Sequence, residues 1–484
     1  MRIVRGYLAG ALAAIGWPAA GLAQLPGEEA VVFTAQSGET ADAYRGFFEV
    51  PENRNDPASR TIALGYVRFP ATTDNPGSPI VYLAGGPGGS GTGAPEERRF
   101  PLFMAMRQHG DVIAFDQRGT GLSDDTPACR SSHVVPDLQP VGDSGLADIY
   151  RAAIRECVAF WRAEGADPAG YTTAESVQDI SALRAHLGAE RVALWGISYG
   201  SHLALAALDA IPGEIERAVI TGAEGLDQTV KYPARTDDYI RRLQQAVNTQ
   251  REARALYPDI ESMIRRVQAR LEAEPLLVTY TRRDGSEAEI LFQRRHAQEV
   301  VSRLISDPQW ATLMLAIYRG LDTGDLSPLQ AALPFFHRPG EPLGFRLMPT
   351  AMDRASGISA GRLAEVRRQI PHAMVGGYLN FPMPQVIDVL EEIDLGPAFR
   401  DGPHGDTPVL LLSGTLDGRT YPDGQAEAVA GLGNVTRIMV RNAGHNLFMS
   451  SPEVGEVIHR FMRDEPLGTG EIEVALPDFT QLPF

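Results

Sequence analysis

The stretch RVALWGISYGSHLALAALD, residues 191–209, predicts a strand, a sharp turn and a helix in direct succession. Val192, Ala193, Leu194 and Trp195 form a short apolar run, and the residues after Gly200 are mostly helix formers. Between the two segments, Gly196-Ile197-Ser198-Tyr199-Gly200 fits G-x-S-x-G. Glycines two positions either side of a serine let the backbone bend tightly and hold the hydroxyl clear of the sheet, as a nucleophile requires. Glycine and serine are common in turns, so the strand and helix on either side are what give the pattern weight. A nucleophilic serine needs a base, the base needs an orienting acid, and the oxyanion that forms needs donors.

Outward from the elbow, the same rhythm repeats. Residues 44–50 and 61–69 alternate as strands around the loop-like PENRNDPASR, which predicts an antiparallel pair. Residues 79–84 and 111–116 are apolar runs of the fully buried kind, and residues 215–222 form a further strand. Residues 174–187 carry apolar side chains three and four apart, as a helix does. Strands alternating with helices predict an α/β fold, a mostly parallel sheet with helices on both faces.

From about Gly225 the pattern turns helical, over residues 237–255, 260–272, 298–305 and 313–333. Asp284-Gly285, between apolar runs at 276–281 and 287–292, signals a hairpin. The sheet rhythm resumes at residues 407–414, with a last strand over 434–441 and a last helix over 452–463. Beyond Asp464 a proline-dotted tail is expected on the surface. The expected organisation is a core over residues 24–224 and 401–484 interrupted by a cap over 225–400. An insertion of roughly 170 residues is the size of a domain. Placed at the C-terminal ends of sheet strands, it would shape the ligand site.

With 484 residues, 44% of them hydrophobic, the chain buries a large core. A formal charge of −17 argues against nucleic acid and anionic membrane surfaces as partners. Arg2 and Arg5, an apolar run over residues 7–17 and the small-residue Gly21-Leu22-Ala23 read as a signal peptide over residues 1–23. The mature protein is accordingly expected outside the cytoplasm, periplasmic or secreted. No later segment is long and apolar enough to be a membrane span. Cys129 and Cys157 read either as a disulfide closing a local loop, which an exported chain favours, or as two free buried thiols.

Of ten histidines, His445 is the candidate base, because its loop follows the last strand and so shares the C-terminal sheet edge with Ser198. His202, one turn along the serine's own helix, is expected to pack against a neighbour. His404 precedes a strand and belongs to the opposite edge. The candidate acid is Asp417, in the loop after the strand at 407–414, although a turn aspartate beside Gly418 reads the same way. The order Ser198, Asp417, His445 is the one that this type of nucleophile turn predicts. Candidate oxyanion donors are the amides of Tyr199 and of Gly86, in the loop Gly85-Gly86-Pro87-Gly88. Residues 86–91 also fit G-x-G-x-x-G after a strand, the dinucleotide pattern. Pro87 within the turn and Gly93-Ala94-Pro95 after it argue against that reading.

GGPGGSG (85–91), DQRGTGLS (116–123), GISYGSHLA (196–204), SGTLDGRTYP (413–422) and NAGHN (442–446) together resemble the α/β-hydrolase superfamily. Within it they resemble the exported proline iminopeptidase and tripeptidyl aminopeptidase group of serine peptidases. The resemblance implies an eight-stranded sheet with a helical cap, Ser198 as nucleophile, His445 as base and Asp417 as its orienting acid. It also implies release of N-terminal residues from peptides with no metal or other cofactor, and a bridge between Cys129 and Cys157. Carboxylates near the cap bind the substrate ammonium in that group; Glu224 and Asp227 are the candidates here, against a reading as solvated loop acids. The group's glycine loop commonly begins with histidine where this chain has Ala84, so its support must differ. The alternatives are a carboxylesterase or amidase using the same triad on small esters or amides, and a catalytically silent binding protein on the same fold.

Overall fold

The computed structural model describes residues 24–123 and 126–483. The leader read in residues 1–23 lies outside the described residues. Among the described residues, ten strands form one sheet: β1 (Glu29–Thr34), β2 (Thr40–Pro51), β3 (Thr61–Phe69), β4 (Ile80–Leu83), β5 (Val112–Phe115), β6 (Val192–Ile197), β7 (Ile215–Thr221), β8 (Val409–Gly414), β9 (Val435–Arg441) and β10 (Glu471–Glu473). In space they run β1-β2-β3-β5-β4-β6-β7-β8-β9-β10. β1, β2, β3 and β5 pair antiparallel in turn. From β5 to β10 each pairing is parallel.

Two strands exceed the expected eight. β1 buries only Phe33, so its sequence shows no period of two. β10, three residues in the tail read as surface, buries only Ile472. Both lie at sheet edges, where one-sided pairing demands little of the sequence.

The inner strands are apolar throughout because the sheet is covered on both faces. Val81, Leu83, Ile113, Phe115, Leu194 and Leu411 enter one core, while Ile80, Tyr82, Val112, Ala114, Trp195 and Leu410 enter the other. Helix α1 (Phe100–Met106) covers the second face. Helices α2 (Asp143–Ala163), α3 (Thr173–His186) and α4 (Tyr199–Ala210) cover the first.

The long segment between β7 and β8 holds α5 (Pro233–Asn248), α6 (Arg251–Leu256), α7 (Ile260–Ala273), α8 (Arg294–Leu304), α9 (Pro308–Thr323), α10 (Ser327–Phe336), α11 (Leu347–Ser356), α12 (Ala360–Gln369) and α13 (Gly396–Asp401). It also holds the expected hairpin, Leu276–Thr281 with Glu287–Phe292. Ile240, Leu243, Ile264, Val301 and Met314 belong to a core of its own. α11 differs: Leu347, Met348, Ala351 and Met352 pack into the core beneath the sheet. Gly324, left-handed at φ 89°, ends α9 and divides the helical pattern read over 313–333 into two helices. α14 (Pro422–Ala428) follows β8, and α15 (Pro452–Met462) lies between β9 and β10. Cys129 and Cys157 form a disulfide, closing a separation of 28 residues. Among the described residues, no helix is long and apolar enough to cross a membrane.

Candidate active site

Ser198 sits between the end of β6 and the first residue of α4 with φ 56° and ψ −126°, a conformation that costs a non-glycine residue energy. Its surroundings hold it there. A Cβ on Gly200 would come 2.0 Å from the Leu83 carbonyl oxygen, and one on Gly196 would come 2.5 Å from the Gly200 carbonyl oxygen. The elbow is thus pressed against the end of β4, and the Ser198 amide donates to the Thr221 carbonyl of β7 at 3.1 Å.

The loop after β4 meets the serine directly, since a Cβ on Gly85 would lie 3.0 Å from Ser198 Cβ. Gly89 N–H closes the loop onto the Gly85 carbonyl at 3.1 Å. Gln117 Nε2 donates to the Ala84 carbonyl at 3.1 Å, which supplies a support for the loop in a chain whose residue 84 is alanine. Gly86 faces the cavity above Ser198. The Tyr199 amide lies in the first turn of α4, where a helix leaves its N–H groups without intrahelical partners.

Asp417 and His445 come from the loops after β8 and β9. His445 Nδ1 and Asp417 Oδ2 are 2.9 Å apart, with Asp417 fully buried. Asp417 Oδ1 accepts from the amides of Arg419 and Thr420 at 2.8 and 2.9 Å. Asp417 Oδ2 also accepts from Thr420 Oγ1 at 2.7 Å and Gln425 Nε2 at 3.1 Å. A carboxylate so surrounded by donors acts as an acceptor toward Nδ1–H, which leaves Nε2 of a neutral imidazole free to take a proton. A Cβ on Gly222 would come 2.7 Å from His445 Cε1, so the bare glycine makes room for the ring. Ser198, His445, Gly85, Gly86, Arg419 and Asn446 line one cavity of about 490 Å³.

The other histidines are placed elsewhere. His202 is fully buried, its ring nitrogens bonded to the Gly225 carbonyl at 3.2 Å and Ser356 Oγ at 3.0 Å. His404 is exposed beside Asp209.

Glu224 and Asp227 both have partners within the chain. Burial would raise the Glu224 carboxyl, but the Lys231 ammonium bonded to it holds it below its usual range. Asp227 accepts from the amide and hydroxyl of Ser359 at 2.7 and 2.5 Å, bracing the start of α12. Sequence reasoning passed over Asp353. Burial, then the charge of Glu224, pushes its carboxyl up to about 7, and its side chain makes no hydrogen bond among the described residues. Nothing local in the sequence marks it, because α11 meets Glu224 and the glycine loop only through the tertiary fold. The same helix start meets the glycine loop, where a Cβ on Gly88 would come 2.6 Å from Pro349 Cγ.

A profile described as the alpha/beta hydrolase fold matches residues 78–452. The serine protease Hip1 of Mycobacterium tuberculosis is 27% identical over 186 residues, covering 37% of this chain and 35% of Hip1. The tripeptidyl aminopeptidase of Streptomyces lividans is 26% identical over 214 residues, covering 40% of each. A probable proline iminopeptidase of Streptomyces coelicolor is 32% identical over 152 residues, covering 31% of this chain and 35% of its own. The similarity spans well under half the length of each of these relatives.

Proposed function

The chain belongs to the alpha/beta hydrolase fold family, and on that premise we propose that it is a serine hydrolase working through an acyl-enzyme on Ser198. The observation that carries the reading is that Ser198, His445 and Gly86 meet in one cavity with Asp417 bonded behind His445. Ser198 Oγ attacks the substrate carbonyl carbon while His445 Nε2 takes its proton. The oxyanion is held by the amides of Gly86 and Tyr199. His445 then protonates the leaving group, and water, activated by the same imidazole, releases the acyl product and restores Ser198. Asp417, bonded to Nδ1, orients the ring and stabilises the imidazolium.

Within that class the preferred reading is an aminopeptidase that releases N-terminal residues, proline or short peptides, from peptides. The names of the relatives support it. A charge argument supports it too. Glu224 and Asp353 act on each other, Lys231 is bonded to Glu224, and Arg419 and Arg354 act on the pair as well, so a substrate ammonium would serve the Asp353 carboxyl once that group ionises. Asp227, engaged by Ser359, has no part in this version of the amine site. A disulfide suits an oxidising compartment, which supports export to the periplasm or medium. Core segments over 24–224 and 401–484 with a cap over 225–400 complete the proposal.

The pairing of Glu224 with Lys231 also favours a second reading, a carboxylesterase or amidase with no demand for a free amine. Ser198→Ala should remove both turnover and fluorophosphonate labelling without loss of fold, and labelling that survived in that variant would refute the nucleophile. Aminoacyl and peptidyl anilides compared with their N-acetylated forms and with nitrophenyl esters separate the two readings. A rate that does not depend on a free α-amine favours the esterase.

A further inference from the structure

We infer that Asp307, in the segment between β7 and β8, is a positioning residue that sets the loop carrying His445 and so ties that segment to the chemistry at Ser198. The inference rests on the proposed role of His445 as base. Asp307 occupies the N-cap position of α9, where an aspartate ordinarily accepts from an amide of its own helix. It makes no such bond. Both its oxygens turn to Asn446 instead: Oδ1 accepts the Asn446 amide at 3.1 Å and Oδ2 accepts Asn446 Nδ2 at 3.0 Å. The residue before it joins in, since the Ser306 carbonyl accepts the His445 amide at 2.8 Å.

The two loops are in close contact. A Cβ on Gly444 would come 2.5 Å from Asp307 Oδ1 and 2.7 Å from the Ser306 carbonyl oxygen, so only a glycine ahead of His445 permits the approach. From Asn446 the chain of bonds continues into the cavity. Arg99 Nη2 donates to Asn446 Oδ1 at 3.0 Å, and Arg99 Nη1 donates to the Tyr82 hydroxyl at 2.5 Å. Tyr82, Arg99, Asn446 and His445 all line the cavity that holds Ser198. The Asn446 amide is thereby fixed in one orientation, donating toward α9 and accepting from Arg99. The backbone of His445 is bonded on one side and the side chain of its successor on the other, so the imidazole cannot drift from Ser198 without breaking these contacts.

The polarity of the pair supplies the test. Asp307→Asn sets one amide NH2 against another, and Asn446→Asp sets carboxylate against carboxylate. The double variant Asp307→Asn/Asn446→Asp restores a donor facing an acceptor and keeps an acceptor for Arg99. The rates to measure are kcat on an activated ester and the second-order constant for fluorophosphonate labelling, across pH. Each single variant should lower both by about ten- to a hundredfold with KM nearly unchanged. The double variant should recover to within about threefold of the parent. Asp307→Ser, which keeps a helix-capping residue but cannot reach Asn446, should fall with the single variants while its melting temperature holds. That variant also serves where a charge change prevents folding. Single variants within twofold of the parent, or a double variant as slow as the slower single, would overturn the inference. Labelling that persisted in Ser198→Ala would instead overturn the reading on which it rests.

Discussion

At Asp417 the geometry sets a specific electrostatic demand. Four donors besides the imidazole point at its two oxygens, and none of the carboxylate is exposed. Asp417→Asn would place an amide NH2 where an acceptor is required and favour the imidazole tautomer with its proton on Nε2, facing the serine. kcat should fall about 10⁴-fold with the fold retained, read by steady-state kinetics beside a circular dichroism spectrum. A fall of less than tenfold would mean that Asp417 does not orient the base. Asp353 has the opposite character, because its raised carboxyl keeps a proton in the folded protein that the unfolded chain gives up. Stability should therefore fall as pH rises from about 4 to about 7, and Asp353→Asn should flatten that slope in thermal melts. On the aminopeptidase reading the same ionisation strengthens binding of a substrate ammonium. KM for a free-amine substrate should drop as pH rises through about 7 and do so much less in Asp353→Asn. The candidates Ser198, Asp417 and His445 could be picked out of the sequence because each follows its own strand. Asp353 and Asp307 could not, because each acquires its role from partners far away in the chain, at Glu224 and Asn446.

The strand-turn-helix at Ser198 works as an element only because its neighbours leave it no other shape. Gly200 lies 2.0 Å, by its missing Cβ, from the Leu83 carbonyl oxygen, a backbone atom of β4 that cannot swing aside. Gly200→Ala should therefore push α4 away from β4 and lower both stability and labelling of Ser198, whereas Gly213→Ala, with open space around it, should lower neither. Equal melting temperatures for the two variants would contradict the packing argument. The disulfide acts at the same scale, tying α2 to the segment before it. Closing a separation of 28 residues is worth about 3 to 4 kcal/mol by loop entropy, the loss expected in denaturant titrations of the reduced protein. Elements of this kind were legible where both faces are buried, as in β4, β5, β6 and β8. β1 and β10 were not, since an edge strand with one buried residue shows no period, and Gly324 divided a helical pattern whose two halves read as continuous.

Over the whole molecule, the segment between β7 and β8 has its own apolar core, yet it is not free of the sheet. Leu416 and Tyr421, from the loop that carries Asp417, are buried in that core, and Thr236 Oγ1 meets the Tyr421 hydroxyl at 2.5 Å. Arg242 Nε donates to the Thr415 carbonyl at 2.9 Å, and Arg419 Nη1 donates to the Ser302 carbonyl at 3.1 Å. With the Ser306 and Asp307 contacts to His445 and Asn446, both loops carrying the proposed acid and base lean on the inserted helices. Ser198 leans on β4 and β7. The proposed triad is thus divided between two cores, and loosening the inserted helices should disable the acid and base before Ser198 itself is disturbed. Trp310 reports on this, being the one tryptophan in that segment, while Trp161 and Trp195 lie in the cores on either side of the sheet. In a urea titration, the fluorescence change lost on Trp310→Phe should coincide with the loss of esterase or peptidase activity. Activity that outlasts the Trp310 transition would show that the inserted helices are dispensable for holding Asp417 and His445.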